Sequence, residues 1–266
     1  LPRWARSFLS VTALCFYVDI TGASPSALRA FVMVAFMETA FALRQPGNPL
    51  AALVASAFVV MLAQPMQLFT AGFQMSYSIM SVLILMGLPL GEIWRGNWQL
   101  FPLLPKITQT RWQRLAGNGL GKMLAALGLG TATALVAAVT GIAFFRLFTP
   151  DAVAANLLLI PLASLAILAG FVSLLCGVAG FLPASVLFNH AAALILASIQ
   201  WIIGAFVKVP GAYWPAAFIA PWWEGTVLAG LLAACLAGYA AQWRHGTIWA
   251  PFAIVALAMI FGVKFG

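Results

Sequence analysis

Apolar runs of about bilayer length follow one another along almost the whole chain, separated by short stretches that contain proline, glycine or charge. A helix needs about 20 apolar residues, within a range of roughly 17–25, to cross the hydrocarbon core of a bilayer. Only 7% of the 266 residues are charged and 64% are hydrophobic, whereas soluble domains carry about 25% charged residues. We therefore expect an all-α fold, a polytopic transmembrane helical bundle with lipid as its solvent.

Eight or nine segments have the length and composition of spanning helices. They lie near Ser7–Gly22, Ser26–Leu43, Pro49–Ala63, Phe73–Leu90, Leu120–Phe145, Ala152–Phe171, Ser185–Val207, Gly225–Ala241 and Trp249–Phe265. The third is short and could be partly re-entrant. We treat residues 1–266 as a single transmembrane domain. Since the chain starts with Leu1 and not with Met, we expect it to be a fragment of a longer protein.

The longest polar stretch, residues 92–121, is basic and is expected to be cytoplasmic, because cytoplasmic loops are enriched in Lys and Arg. Nine alternating spans then place the start of the chain on the cytoplasmic side of the membrane and its C-terminus on the outer side. The basic residues assigned to the inner side are Arg3, Arg6, Arg44, Arg95, Lys106, Arg111, Arg114, Lys122 and Arg244. Those assigned to the outer side are Arg29, Arg146, Lys208 and Lys264. Tryptophans near predicted helix ends, Trp243 among them, predict an interfacial aromatic belt.

Charged side chains inside predicted spans need a partner or water, because each costs at least about 2.5–3.5 kcal/mol in the hydrocarbon core. Asp19 and Arg29 lie at similar depth on the first two helices, which predicts an ion pair that either locks the hairpin or lies on a transport path. Glu38 lies near the inner end of the second helix, where Lys122 and Arg44 are the cations at comparable depth. Glu38 and Arg29 occupy opposite faces of that helix, and we expect Arg29 to face the functional cavity.

Neutral polar side chains mark two further regions. The side chains that cluster around the turn between the third and fourth spans are Gln64, Gln67, Gln74, Ser76, Tyr77 and Ser78. Gln74, Ser78 and Ser81 follow helical spacing and are expected to form a polar stripe. Such a stripe suits hydrogen bonding between helices slightly better than it suits a conduit. Pro161 lies within the sixth span and leaves the carbonyl group of Leu157 without a helical donor, so a kink is expected there and Asn156 is a candidate to satisfy that carbonyl.

The sequence contains no nucleotide-binding P-loop, no histidine cluster of metal-binding spacing and no Gly-x-Ser-x-Gly elbow. Its three cysteines lie far apart within apolar runs and predict no disulfide framework. We therefore expect no enzymatic activity, no cofactor and no metal site. We find no convincing internal repeat, which weakens the interpretation as an inverted-repeat transporter.

Three ordered blocks resemble the ComEC family of competence-type DNA-uptake channels. The first is Tyr17 followed by Gly-Ala-Ser-Pro-Ser-Ala-Leu-Arg-Ala at 22–30, the second is Gly-Phe-Gln-Met-Ser-Tyr at 72–77, and the third is Ala-Asn-Leu-Leu-Leu-Ile-Pro-Leu at 155–162. Gln64 departs from the pattern, since the family often has Asp before that proline. The family-motif positions are Gly22, Pro25, Pro65, Gly72, Phe73 and Pro161.

The resemblance implies a membrane channel that passes single-stranded DNA during uptake and transformation. Candidates for the DNA path or polar core are Asp19, Arg29, Glu38, Arg44, Gln74, Ser76, Lys122 and Asn156. Few cations within the spans suit a slippery path, because tight binding would stall transit. Such a path suits a strand pulled by an ATP-driven cytoplasmic translocase, since the sequence has no ATP site, and the resemblance also implies attached DNA-binding or nuclease modules. The oligomeric state stays open, with a homo-oligomer as one option.

Two alternatives remain open at the level of composition. A small-solute secondary transporter would need a coupling-ion site, and Glu38 is its candidate. A structural or assembly subunit of a membrane complex would transport nothing. The net charge of +8 is compatible with DNA but equally with basic cytoplasmic loops or anionic lipid headgroups, so only the ordered motif blocks favour DNA.

Overall fold

A computed structural model describes residues 2–20, 22, 25–98, 110–243 and 247–265 of the chain. Nine helices make up most of this described part. They are α1 (Arg3–Ile20), α2 (Pro25–Ala42), α3 (Pro49–Ala63), α4 (Ala71–Asn97), α5 (Arg111–Phe145), α6 (Ala152–Val178), α7 (Leu182–Val207), α8 (Pro221–Ala240) and α9 (Ala250–Gly262). Each overlaps one predicted segment, so the all-α helical bundle is confirmed.

Five helices of the described part are long and apolar enough to cross a membrane. They are α4, α5, α6, α7 and the Trp222–Ala240 portion of α8. The shorter apolar helices are Pro49–Ala63 and Thr247–Gly262, and α1 and α2 hold 18 residues each. In α6 and in α7, only 6% of the most apolar 18-residue stretch is buried within the protein. This is expected of helices that face lipid. The nine-span topology and its orientation stay predictions.

The main core lies where α4, α5, α8 and α9 meet. Its buried residues are Val82, Leu85, Met86, Leu90, Ala132, Leu135, Val136, Val139, Val227, Leu231, Cys235, Trp243, Val255 and Ala258. The largest of them are almost wholly removed from the surface, with Leu85 and Met86 each 1% exposed. This core fixes α4, and with it the start of α4 that forms part of the candidate site.

Helices α4 and α5 approach each other so closely that only glycine fits at the crossing. A Cβ atom at Gly128 of α5 would lie 2.6 Å from the backbone nitrogen of Gly91 and 3.0 Å from the carbonyl oxygen of Gly87. A Cβ atom at Gly91 would in turn lie 3.0 Å from the Cα of Ala125. Such small-residue contacts are a common way for membrane helices to associate, because they let two backbones pack against each other.

A π-helical turn interrupts α4 at Leu83–Gly87, just before Pro89. In a regular α-helix the residue at position 89 would donate its N–H to the carbonyl of Leu85, but proline has none. The indole Nε1 of Trp243 instead donates a hydrogen bond of 2.8 Å to that carbonyl oxygen. Trp243 is 7% exposed, so its assignment to an interfacial belt was wrong: it is a core residue that compensates for a missing backbone donor.

A short three-stranded antiparallel sheet, absent from the prediction, joins the ends of several helices. Its strands, in spatial order, are β1 (Leu147–Phe148), β2 (Trp214–Phe218) and β3 (Val263–Phe265). Lys264 of β3 lies opposite Ala217 of β2, so the last helix ends at Gly262 and not at Phe265, where the predicted span ended. The sheet brings together the end of α5, the start of α8 and the end of α9, which the predicted topology also places on one side.

The basic stretch at 92–121 is more helical than expected. Residues up to Asn97 continue α4, and Arg111 onward already belongs to α5, whose first turn is closed by a hydrogen bond from the backbone N–H of Thr110 to the side-chain oxygen of Gln113 (3.0 Å). The positions Ala23, Ser24, Lys106 and Arg244, which entered the motif and orientation arguments, lie outside the described residues.

Candidate functional site

Arg29 extends from the start of α2 toward the start of α4. Its side chain is only 5% exposed, and the centre of its guanidinium group lies 5.9 Å from the centre of the Tyr77 ring. A Cβ atom at Gly72 would lie 3.9 Å from Nη2 of Arg29, so Gly72 leaves room for the guanidinium group beside the first turn of α4. The cation is therefore held against an aromatic face, an arrangement that favours it when it is desolvated.

Tyr77 connects this arginine to α3. Its hydroxyl group lies 3.3 Å from Oγ of Ser56, which in turn donates to the carbonyl oxygen of Leu53 at 2.8 Å. The rings of Tyr77 and Phe73 stack at a tilt, 4.3 Å between centres. We name the residues Arg29, Ser56, Gly72, Phe73 and Tyr77 the Arg29 cluster; it forms where α2, α3 and α4 meet.

The start of α4 is set by Thr70. Its backbone is extended, its Oγ1 accepts a hydrogen bond from the N–H of Phe73 at 3.3 Å and its carbonyl accepts one from the N–H of Gln74 at 3.1 Å. This is the N-cap arrangement that threonine favours. The Gln74 side chain donates to the carbonyl oxygen of Leu68 at 3.2 Å and so fastens the 3₁₀ turn at Pro65–Phe69 to the helix.

The predicted ion pair between Asp19 and Arg29 is not formed among the residues that the structure describes. Asp19 is exposed on α1, where it lines a groove of about 490 Å³ with Cys15 and Leu28. Arg29 turns instead toward Tyr77. The prediction paired the two residues because they lie at similar depth in the membrane. The rotation of α2 about its axis, however, directs Arg29 toward α4.

Glu38 and its two expected cations are not brought together either. One carboxylate oxygen of Glu38, Oε2, is buried without a hydrogen-bond partner in the described part of the chain. Lys122 is exposed on α5, and Arg44 is exposed just beyond α2. Arg44 adopts a left-handed conformation (φ 58°) and its N–H bonds to the carbonyl of Phe41, while that of Gln45 bonds to Ala40. Arg44 therefore terminates α2 in a Schellman motif.

Asn156 bridges two helices and does not donate a hydrogen bond to the carbonyl of Leu157. Its Nδ2 atom lies 3.4 Å from Oγ1 of Thr133 on α5, at the long end of a hydrogen bond. Oγ1 of Thr133 itself donates to the carbonyl oxygen of Gly130 at 2.9 Å. Pro161 lies within α6, which continues as one helix to Val178. Asn156 thus joins α6 to α5, far along the chain from the Arg29 cluster.

A family model described as "Competence protein" matches residues 1–262, almost the full chain. The chain belongs to the competence protein family. No curated protein and no solved structure matches it. The family match confirms the ComEC resemblance and gives this multi-pass membrane protein a role in DNA uptake.

Two of the three competence motif blocks meet in space. Pro25 is the first residue of α2, so the first block carries Arg29, while the second block opens α4 with Gly72 and Phe73. These blocks contact each other through Arg29 and Gly72. The third block lies on α6 and contacts α5 instead. The competence signature therefore includes every residue of the Arg29 cluster except Ser56.

The remaining motif positions shape turns. Gly22 has a positive φ of 82° between α1 and α2, which glycine adopts without strain. Pro65 is the first residue of the 3₁₀ turn before α4. Ser76 is partly buried on α4, one residue before Tyr77.

Ser56 and Tyr77 were missing from the predicted site residues. Ser56 is a hydroxyl group within an otherwise apolar helix and is fully buried (0% exposed), which is a readable sign of a polar contact between membrane helices. Tyr77 stands four residues after Phe73, so both rings share one face of α4. These two signals together could have identified the aromatic and hydroxyl partners of Arg29.

Proposed function

We propose that this competence domain passes single-stranded DNA across the bacterial cytoplasmic membrane. The observation that carries the proposal is the match of the competence family over residues 1–262. The Arg29 cluster supports it, because two motif blocks converge there on a buried cation. DNA carries one negative charge per nucleotide, so a cation within the membrane domain suits this cargo.

The scarcity of such cations agrees with transport. Arg29 is the only Lys or Arg that is buried among the described residues. A polyanion that meets a single buried cation is held weakly at each step, and conduction requires binding that is weak enough to be released. We propose that the path enters the domain beside Arg29, on the side where α2 and α4 begin.

The chain lacks a nucleotide-binding P-loop, and we propose that an ATP-driven cytoplasmic partner pulls the strand. We also propose that DNA-binding or nuclease modules present the strand on the outer side, and that the domain can assemble with copies of itself. No catalytic step is assigned to the residues of this chain.

Uptake of labelled DNA into the cytoplasm of the host tests the proposal. The strains compared carry the intact gene, a deletion, Arg29→Ala, Arg29→Lys, or the control Lys208→Ala, which removes an exposed positive charge beyond α7. Membrane levels of each variant are measured by immunoblotting. We expect deletion to abolish entry while DNA still binds the cell surface, and Arg29→Ala to reduce entry more than Lys208→Ala does.

Two results separate the alternatives. If a host that internalises DNA does so equally well after deletion, the DNA role is wrong and small-solute transport becomes the function to test. If deletion abolishes entry but Arg29→Ala does not, the family role stands and the path does not depend on Arg29.

A further inference from the structure

Arg29 is a buried cation that has no counter-ion among the described residues. Its side chain is 5% exposed, and its Nε atom has no hydrogen-bond partner in the described part of the chain. No carboxylate forms an ion pair with it among the described residues: Asp19 is exposed on α1, and Glu38 lies on the opposite face of α2. A buried donor without an acceptor is costly, particularly when it is charged. The guanidinium group therefore has unused capacity to bind an anion.

The first turn of α4 offers a second set of unused donors beside it. The N–H groups of Phe73 and Gln74 are bonded to Thr70, whereas those of Ala71 and Gly72 have no partner among the described residues. A helix N-terminus carries a partial positive charge and presents such N–H groups outward. Arg29 is aimed at this turn, because its Nη2 atom would lie 3.9 Å from a Cβ atom at Gly72.

Two independent positive features thus face one place. Gly72 is exposed, so the first turn of α4 can be reached from the surface. The absence of a side chain at Gly72 lets the guanidinium group lie close to the first turn of α4, because a Cβ atom there would already touch Nη2 at 3.9 Å. A ligand that fits must be an anion small enough to bridge an arginine and a helix N-terminus.

We propose that Arg29 and the first turn of α4 form a binding site for a phosphodiester group. The guanidinium group offers several N–H donors in a planar fork that matches phosphate oxygens, and helix N-termini bind phosphate through backbone N–H groups. A phosphodiester is a monoanion, so it neutralises the single charge of Arg29 without leaving a second charge buried. Tyr77 closes the site on the side of α3.

The same chemistry occurs in the DNA backbone and in anionic lipid headgroups. The assignment to DNA rests on the proposed function; the binding site itself does not. With DNA as cargo, the site is a single phosphate contact at the side where α2 and α4 begin. With lipid, it is a headgroup site at the same depth.

The test uses the purified full-length protein in nanodiscs of phosphatidylcholine. Binding of a fluorescent oligothymidine is measured against the same oligomer with an uncharged methylphosphonate backbone. The variants are Arg29→Gln, Arg29→Lys and the control Lys208→Gln. We expect the charged oligomer to bind about tenfold or more weakly to Arg29→Gln, with a shallower dependence on salt. The methylphosphonate oligomer should bind weakly to all proteins, and Lys208→Gln should resemble the parent.

A second measurement covers the lipid source and the risk of misfolding. Thermal unfolding is recorded in nanodiscs with and without phosphatidylglycerol. Because Arg29→Gln removes an unpaired buried charge, we expect its stability in phosphatidylcholine to equal or exceed that of the parent. If phosphatidylglycerol stabilises the parent and not Arg29→Gln, while oligomer binding is unaffected, the phosphodiester bound is that of a lipid.

The proposal is overturned if Arg29→Gln changes neither oligomer binding nor stabilisation by phosphatidylglycerol. It is also overturned if Arg29→Gln unfolds more easily than the parent in phosphatidylcholine. Arg29 would then stabilise the folded protein through its contact with Tyr77. Failure of the DNA role itself is detected in a separate experiment, as DNA entry that is unchanged after deletion of the gene.

Discussion

Replacing Gly128 by alanine should separate the two helices at the centre of the core. The added Cβ atom would lie 2.6 Å from the backbone nitrogen of Gly91 and 2.7 Å from its Cα, whereas ordinary contacts begin near 3.4 Å. Both neighbours are backbone atoms, so no side chain can rotate away. The helices must therefore move apart locally by about 0.8 Å, the difference between 2.6 and 3.4 Å.

The size of the effect follows from two opposing terms. Overpacking of a close-packed core costs about 1–3 kcal/mol, and a contact between two backbones belongs at the upper end. Alanine gains about 1 kcal/mol over glycine in helix propensity. We expect Gly128→Ala to lower the free energy of unfolding by about 2 kcal/mol in all.

Gly119 on the same helix provides the matched control, because no atom lies within 4 Å of a Cβ placed there. Gly119→Ala should raise stability by up to about 1 kcal/mol. Gly91→Ala should fall between the two, since its Cβ would lie 3.0 Å from Ala125. Reversible unfolding in mixed detergent micelles, at increasing fractions of sodium dodecyl sulfate, gives all three free energies. If Gly128→Ala proves as stable as Gly119→Ala, the backbone contact between α4 and α5 is wrong.

Three further substitutions test individual contacts in the same unfolding assay. Trp243→Phe should lower the free energy of unfolding by about 1–3 kcal/mol, because it leaves the Leu85 carbonyl without a hydrogen-bond donor. The loss should be smaller in a Pro89→Ala background, where the N–H of the alanine can donate to that carbonyl. Equal losses in the two backgrounds would show that Trp243 does not replace the missing donor. Arg44→Gly should stabilise by roughly 0.5–1 kcal/mol through relief of its left-handed backbone, and a loss would exclude strain there. Asn48→Ala should cost about 1 kcal/mol, because the Asn48 side chain accepts from the first turn of α3; no loss would argue against the cap.

Features that depend on residues close together in the sequence were predictable. The bounds of α3, Pro49–Ala63, were predicted to the residue, because Asn48 caps the helix, Pro49 opens it and Pro65 follows its end. The all-α membrane bundle followed from apolar length alone. The Gly-x-x-x-Gly spacing of Gly87 and Gly91 was equally visible and could have indicated the contact with α5.

Features set by helix rotation and by distant contacts could not be predicted. Trp243 reads as an interfacial residue because it follows α8, yet its partner Leu85 lies 158 positions away. Asp19 and Arg29 share a depth, but depth says nothing about which neighbour each side chain faces. The strands of the sheet have two to five residues each, too few for an alternating pattern to distinguish them from loops.

The expectation that Arg29 points into a functional site stays a prediction, although the structure adds a reason for it. Nothing local in Pro-Ser-Ala-Leu-Arg-Ala indicates that the charge is buried without an acid. Only the packing of α2 against α4 shows it, by placing the guanidinium group beside Gly72 and Tyr77. Unpaired charge of this kind is a sign of function in membrane proteins, because it persists only where it has a use.

The Arg29 cluster lies at the edge of the main core. The buried residues of the main core come from α4, α5, α8, α9 and Trp243, and α1 to α3 contribute none of them. The core therefore holds the start of α4 in place, while Arg29 reaches it from a helix that the core does not hold. A shift of α1 to α3 against α4 would widen the site and break few core contacts. Stability and transport should accordingly separate: changes at Gly128 should act through folding, whereas changes at Arg29 should act on the cargo while the core stays intact.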